Sequence, residues 1–169
     1  PPFICLVGAC GKRWKLAVGQ ISEFCSLDLL QFHGNESPEY CSRFSRRLIK
    51  AFRIKDRECL EVLPSYEVSA VLLDTHYDDR YGGGGKTFNW QLASEAKRYC
   101  NRVVVAGGLT PRNVPEAIQT ASPYGVDVSS GVESLPGRKD HAKLEEFVSI
   151  VRTGSSSGLS CQQGKGHVT

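Results

Sequence analysis

Val71-Leu72-Leu73-Asp74, the glycine run Gly82-Gly83-Gly84-Gly85, and then Lys86-Thr87-Phe88-Asn89-Trp90 form the stretch from which the fold can be read. The order is a short apolar strand, a carboxylate where the strand ends, a glycine loop and a helix start. An apolar run of this length suits a parallel strand covered on both faces. Side chains alternate along a strand, so Leu72 and Asp74 share one face. A carboxylate on that face at the strand's end points to chemistry more than to packing. Gly85-Lys86-Thr87 echoes the phosphate loop G-x-x-x-x-G-K-[ST], but that pattern needs glycine at position 80, where the chain has Arg80. The four glycines therefore read as hinges of a mobile loop, since they supply freedom and no side-chain contacts.

Working outward, strand-like apolar runs recur at 3–9, 29–33, 48–53, 70–74, 102–106 and 126–129. Segments of helical period separate most of them. Trp14, Ala17, Val18, Ile21 and Phe24 fall on one helical face. Ser37-Pro38-Glu39 gives a cap, a first-turn proline and an acidic residue at the positive end, and predicts a helix to about Arg47. A shorter helix is expected over 56–63, stopped at Pro64. Asn89 caps a helix running towards Cys100. Thr110-Pro111 opens a turn, with Asn113 and Glu116 spaced as a second cap. A last helix starts near Asp140 and is expected to bury Leu144, Phe147, Val148 and Val151. Residues 153–169 lack periodicity and are expected to form a disordered glycine- and serine-rich tail or linker.

Strands alternating with helices define a parallel α/β fold. The competing orders are an open doubly wound sheet and a (β/α)8, or TIM, barrel. His33, Asp74, Gly107-Gly108 and Ser129-Ser130-Gly131 all fall at the C-terminal ends of strands, the catalytic face of barrels, which decides for the barrel. The last two of these loops suit phosphate, which barrels often bind on backbone N–H groups after the seventh and eighth strands. Six units are present over residues 1–152, whereas a full barrel of about 200 to 250 residues has eight. They read as the third to the eighth.

Composition narrows the function. The 169 residues are 40% hydrophobic and 23% charged, ordinary for one globular domain. The net charge of +3 is spread without a basic stripe, so no nucleic-acid partner is indicated. No apolar run reaches the roughly 20 residues of a membrane span. Seven cysteines, an odd number without C-x-x-C pairs, read as free thiols of a cytoplasmic protein and give no metal site. With no methionine in the chain, Pro1 is not an unprocessed start, and the sequence is expected to be cut from a larger protein.

Five motifs in order carry a resemblance. They are Leu30-Gln31-Phe32-His33-Gly34; Leu72-Leu73-Asp74-Thr75; Gly82 to Trp90; Gly107-Gly108-Leu109-Thr110-Pro111 with Asn113-Val114; and Val126 to Glu133 with Pro136 to Asp140. Over residues 3–152 the chain resembles phosphoribosylanthranilate isomerase, a barrel enzyme of tryptophan biosynthesis. The resemblance implies an Amadori rearrangement of phosphoribosylanthranilate to the 1-amino-1-deoxyketose. A general acid protonates the furanose oxygen, the ring opens to a Schiff base, and a base takes the C2′ proton. No cofactor is implied, because the protonated imine is itself the electron sink.

By motif, Asp74 would be the general acid, a role that asks for a raised pKa. Gly107, Gly108, Ser129, Ser130 and Gly131 would hold the phosphate. Asp127 would orient the ribosyl or amine part, and His33 would lie near the anthranilate. Gly82, Gly83, Gly84, Gly85 and Lys86 would close over the substrate. The family's base, a cysteine ending the first strand, and its arginine for the anthranilate carboxylate fall outside the matching part. Cys5 and Cys10 do not inherit the base role, because the adjacent Val7-Gly8 matches the third strand. Asn89 stands where the family more often has aspartate. The partner implied is the small-molecule substrate, with fusion to, or association with, another tryptophan-pathway enzyme left open. Two rival readings remain: a non-catalytic phosphate-binding remnant, and another sugar-phosphate isomerase or epimerase barrel.

Overall fold

A computed structural model describes residues 4–10, 15–75 and 89–157 of the chain. The glycine loop and Lys86 lie outside the described residues. Six strands, β1 (Val7–Cys10), β2 (Leu29–Phe32), β3 (Arg47–Ile54), β4 (Ala70–Thr75), β5 (Val103–Val105) and β6 (Gly125–Val126), form one sheet in that order. Every neighbouring pair is parallel. A doubly wound sheet would reverse its order part way, and this one does not. Right-handed crossovers in one continuing direction put all helices on one face. The helix-free face becomes the inside of a curled arc of a (β/α)8 barrel.

Alternation sorts each strand between two cores. On the helix side, Val71, Leu73, Val103 and Val105 pack against α3 (Trp90–Ala96) and α4 (Val114–Ala121), through Ala93, Ala96, Val114 and Ala117. Leu30, Phe32 and Leu48 pack with Val18 of α1 (Lys15–Phe24) and Cys41 of α2 (Pro38–Cys41). Each large side chain withdrawn fully from water contributes about 1.5–3 kcal/mol. On the inner side, Ala51, Leu72 and Ala106 form a smaller cluster with Ile49 and Val104. Leu72 therefore faces inward, as its place two residues before Asp74 requires.

Several local expectations change. Ser37 caps α2, its Oγ accepting from the Tyr40 N–H at 3.2 Å, but the helix ends at Cys41 and not near Arg47. Phe44 turns back to stack on Phe32, with ring centroids 5.1 Å apart, and Arg47 already pairs with Leu29 in the sheet. Aromatic packing here overrides helix propensity. The helix expected over 56–63 is instead two 3-10 turns, Glu58–Leu60 and Leu63–Ser65, and Pro64 lies inside the second. Trp14 of the face expected for α1 lies outside the described residues; among the described ones only Val18 is buried, while Ile21 is exposed and Phe24 is 90% exposed.

The final helix, α5 (His141–Ser157), runs five residues beyond Arg152, so the boundary expected at 153 falls inside it. It packs on α4 by a narrow stripe of Phe147, Ile150 and Val151. Leu144 and Val148, expected inside, are exposed. Between β6 and α5 lies a hairpin of β7 (Glu133–Leu135) and β8 (Arg138–Lys139), antiparallel to each other. Among the described residues no helix is long and apolar enough to cross a membrane.

Candidate active site

His33, Asp74 and Asp127 gather at the C-terminal ends of β2, β4 and β6. His33 follows β2, and its Nε2 lies 3.0 Å from Asp74 Oδ2. The other ring nitrogen is 3.4 Å from the Gln31 side-chain amide nitrogen, on the same strand face. A donor at Nδ1 favours the tautomer with its proton on Nε2, directed at Asp74. Both side chains remain open to solvent, 35% for His33 and 24% for Asp74. Asp127 continues β6, its N–H bonded to the Val105 carbonyl at 2.8 Å. Partial removal from water, then the charge of Asp74, raises the Asp127 carboxyl above the usual carboxylate range. His33 and Lys139 pull the other way.

A buried ion pair holds the turn that presents His33. Glu36 and Lys50 are 1% and 2% exposed, and Lys50 Nζ lies 3.3 Å from Glu36 Oε2. The pair grips Gly34 from both sides. Glu36 Oε2 accepts from the Gly34 N–H at 2.9 Å, while Lys50 Nζ donates to the Gly34 carbonyl at 2.8 Å. Lys50 also donates to the Ala51 carbonyl at 2.8 Å and stands over the Phe52 ring. Tyr66 Oη donates to the Glu36 carbonyl at 2.9 Å. The residue after His33 thus has both peptide groups fixed by charge-assisted bonds. The sequence reading missed this pair. Its signal was a lysine inside the run Leu48-Ile49-Lys50-Ala51-Phe52, on the helix-facing side, which demands a buried partner.

The two loops expected to take phosphate touch each other. Gly107 and Gly108 both have positive φ, 80° and 66°, which L side chains rarely adopt. Asn113 does not cap α4 with its side chain. It braces this glycine turn instead: Oδ1 accepts from the Thr110 N–H at 2.7 Å, and Nδ2 donates to the Gly108 carbonyl at 2.9 Å. The helix begins only at Val114, so Thr110-Pro111 is a separate turn. Ser129 leads into a 3-10 turn over Ser130–Val132. A Cβ on Gly131 would overlap the Leu109 carbonyl oxygen, so only glycine allows this approach. Lys139 Nζ ties the hairpin to the same loop, donating to the Ser129 carbonyl at 2.9 Å and to Glu133 Oε1 at 2.8 Å. The Lys139 bond, with the Gly137 N–H behind it, holds the Glu133 carboxyl below the usual range.

The cysteines stand apart from this arrangement. Cys10 is in register with Phe32 and packs on the helix-side core. Cys5 precedes β1, at the strand end opposite to Asp74. Burial pushes the Cys41 thiol up, which keeps it a packed, unreactive group.

The fold and this site together define a (β/α)8-barrel protein with a carboxylate–imidazole pair at the strand ends and two backbone loops joined at Gly131 and Leu109. The comparisons give the family. The family model for N-(5'phosphoribosyl)anthranilate (PRA) isomerase matches residues 6–150, and the chain belongs to that family. The N-(5'-phosphoribosyl)anthranilate isomerase of Trichlorobacter lovleyi is 49% identical over 148 residues, 88% of this chain and 72% of that protein. The crystal structure of phosphoribosyl anthranilate isomerase from Thermotoga maritima superposes with a TM-score of 0.82 at 35% identity, covering 90% of this chain and 75% of the other. A crystal structure of the isomerase in complex with reduced 1-(o-carboxyphenylamino)-1-deoxyribulose 5-phosphate superposes with a TM-score of 0.78 at 31% identity, over 90% and 74%.

Proposed function

We propose that the chain carries phosphoribosylanthranilate isomerase chemistry, the Amadori rearrangement of N-(5'-phosphoribosyl)anthranilate to 1-(2-carboxyphenylamino)-1-deoxyribulose 5-phosphate, a step of tryptophan biosynthesis. The observation that carries this reading is the 3.0 Å His33–Asp74 contact at the strand ends, facing the two joined loops. The phosphate sits on Gly107, Gly108, Ser129, Ser130 and Gly131. Asp74 is the general acid: its carboxyl gives a proton to the furanose oxygen as the C1′–O bond breaks, and the His33 Nε2, 3.0 Å from Oδ2, orients that carboxyl. Asp127 orients the ribosyl part or the bridging amine. Loss of the C2′ proton to a base then gives the enolamine, and tautomerisation gives the ketose. The reaction is an internal redox exchange and needs no external electron acceptor. The substrate is a small molecule, and cysteines outside disulfides among the described residues suit the cytosol.

The base is the open position. Cys10 faces the helix layer and is not placed as the family's cysteine base. That observation favours a second reading, phosphate binding without turnover. Loss of phosphoribosylanthranilate fluorescence separates the two. Turnover by the chain, lowered at least about a hundredfold in Asp74→Asn, supports the isomerase reading and refutes the second. Phosphate binding without turnover supports the second and refutes the first for this chain.

A further inference from the structure

The β7–β8 hairpin is an element that the mechanism leaves without a task. Its bonds converge on the serine loop. Lys139 Nζ donates to the Ser129 carbonyl at 2.9 Å and to Glu133 Oε1 at 2.8 Å. Glu133 Oε2 accepts from the Gly137 N–H at 3.2 Å, at the hairpin tip. Lys143 Nζ donates to the Glu133 carbonyl, and the Asp140 N–H to the Val132 carbonyl, both at 2.8 Å. The Ser130–Val132 turn is thereby held at its entrance through Ser129 and at its exit through Val132 and Glu133. Lys139 has 42% of its side-chain surface in water, and an ion pair so exposed adds little to stability. This much bonding on so short an element fixes a shape more than it stabilises the fold.

Ser129 lies two residues beyond Asp127, so the cation that grips Ser129 also stands near that carboxyl. Removal from water, then the charge of Asp74, raises the Asp127 carboxyl, while His33 and Lys139 lower it. An imidazole is charged only when protonated, so lysine is the standing cation of the two. Resting on the isomerase reading, we propose that Lys139 is a positioning residue of this site. It fixes the loop that receives the phosphate and sets a cation beside Asp127, so one side chain governs both phosphate seating and the charge of Asp127. An ionised Asp127 accepts from a sugar hydroxyl or from the bridging N–H. A neutral one offers its own proton instead and loses that orientation. Lys139 acts through Ser129 and Asp127, and takes no proton itself.

The test uses the full chain, Lys139→Met, Lys139→Arg and Glu133→Gln. Calorimetry with inorganic phosphate, in about 0.5 M salt so that distant charges are screened, reads the loop. Titration of the Asp127 carboxyl followed by carbon-13 NMR reads the charge. Lys139→Met should bind phosphate about threefold to tenfold more weakly, the order of one hydrogen-bonded contact. Its Asp127 should titrate at higher pH than in the unaltered chain. Lys139→Arg keeps the lower titration and recovers part of the affinity. Glu133→Gln breaks the same ion pair but leaves the cation, so its Asp127 does not move up. A brace alone would weaken phosphate in Lys139→Met and Glu133→Gln alike and leave Asp127 unmoved. That result, or unchanged phosphate affinity in Lys139→Met, overturns the proposal and leaves the isomerase reading standing. Reduced 1-(o-carboxyphenylamino)-1-deoxyribulose 5-phosphate probes that reading separately. If the unaltered chain binds phosphate but not this compound, the isomerase reading falls, and the phosphate and NMR arms still decide whether Lys139 governs loop and carboxyl. If it binds neither, both fall. Because Lys139 is partly exposed, Lys139→Met should melt with the unaltered chain.

Discussion

Replacing Lys50 by methionine tests whether the Glu36–Lys50 pair holds the His33 turn. The substitution keeps most of the apolar stem and removes only the amine. That amine has 3% of its side-chain surface exposed and serves Glu36 Oε2, the Gly34 carbonyl and the Ala51 carbonyl. What remains is a Glu36 carboxylate, fully buried, with only the Gly34 N–H on Oε2 and no partner on Oε1. Removing one member of such a pair costs about 3–5 kcal/mol, most of it from stranding the other charge. A domain has about 5–15 kcal/mol in all. With a urea m-value of about 2 kcal/mol/M, the unfolding midpoint should fall by about 2 M. Glu36→Gln/Lys50→Met should recover much of this, because the neutral amide needs no counter-ion. Urea unfolding followed by circular dichroism measures all three. If Lys50→Met loses less than about 1 kcal/mol, or the double variant is no better than the single, the pair does not hold the turn.

Three other outcomes are expected. Gly131→Ala forces the serine loop off the Leu109 carbonyl, so inorganic phosphate should bind at least about tenfold more weakly, with about 1–3 kcal/mol of lost stability from overpacking; calorimetry and urea midpoints read both. Asn113→Ala leaves the Thr110 N–H and the Gly108 carbonyl without their brace, costing about 1–3 kcal/mol and weakening phosphate binding in the same titration. Asp127 has a folded-state carboxyl raised above its unfolded value, so the folded chain holds the proton more tightly and stability falls as pH rises from the ordinary aspartate range through the raised value. Asp127→Asn should flatten that part of the stability–pH curve, as melting temperatures across it would show.

The fold was legible because a buried parallel sheet writes itself as apolar runs at regular spacing, and because the polar residues cluster at one end of those runs. Asp74 and His33 could be placed on one face from the sequence; that they meet at 3.0 Å could not, since it depends on the curl of the sheet between β2 and β4. The local errors share one cause. Phe44 leaves a well-capped helix to stack on Phe32, and Leu144 faces outward because α4 offers only a narrow seat. Both are decided by neighbours far away in the chain, which propensity and period do not contain. Asn113 was misread for the same reason: its spacing from Glu116 suits a cap, but its amide is within reach of the Gly108 turn.

The two faces of β3 show how the barrel separates stability from chemistry. Alternation sends Lys50 to the helix side, where its charge is enclosed and cancelled by Glu36. It sends Arg53 to the inner side, beside Asp74 and open to solvent. Buried charges must be paired at home, so Lys50 can only hold structure. A charge at the strand end is free to meet a ligand, since water replaces its partner until one arrives. The same division applies at β2, where Phe32 packs outward and His33, one residue later, faces the site. Moving either charge by one residue would bury Arg53 without a partner and expose Lys50 without a task. Side-chain parity along β3 is therefore what allows one strand to carry both a structural ion pair and an exposed cation on the inner face.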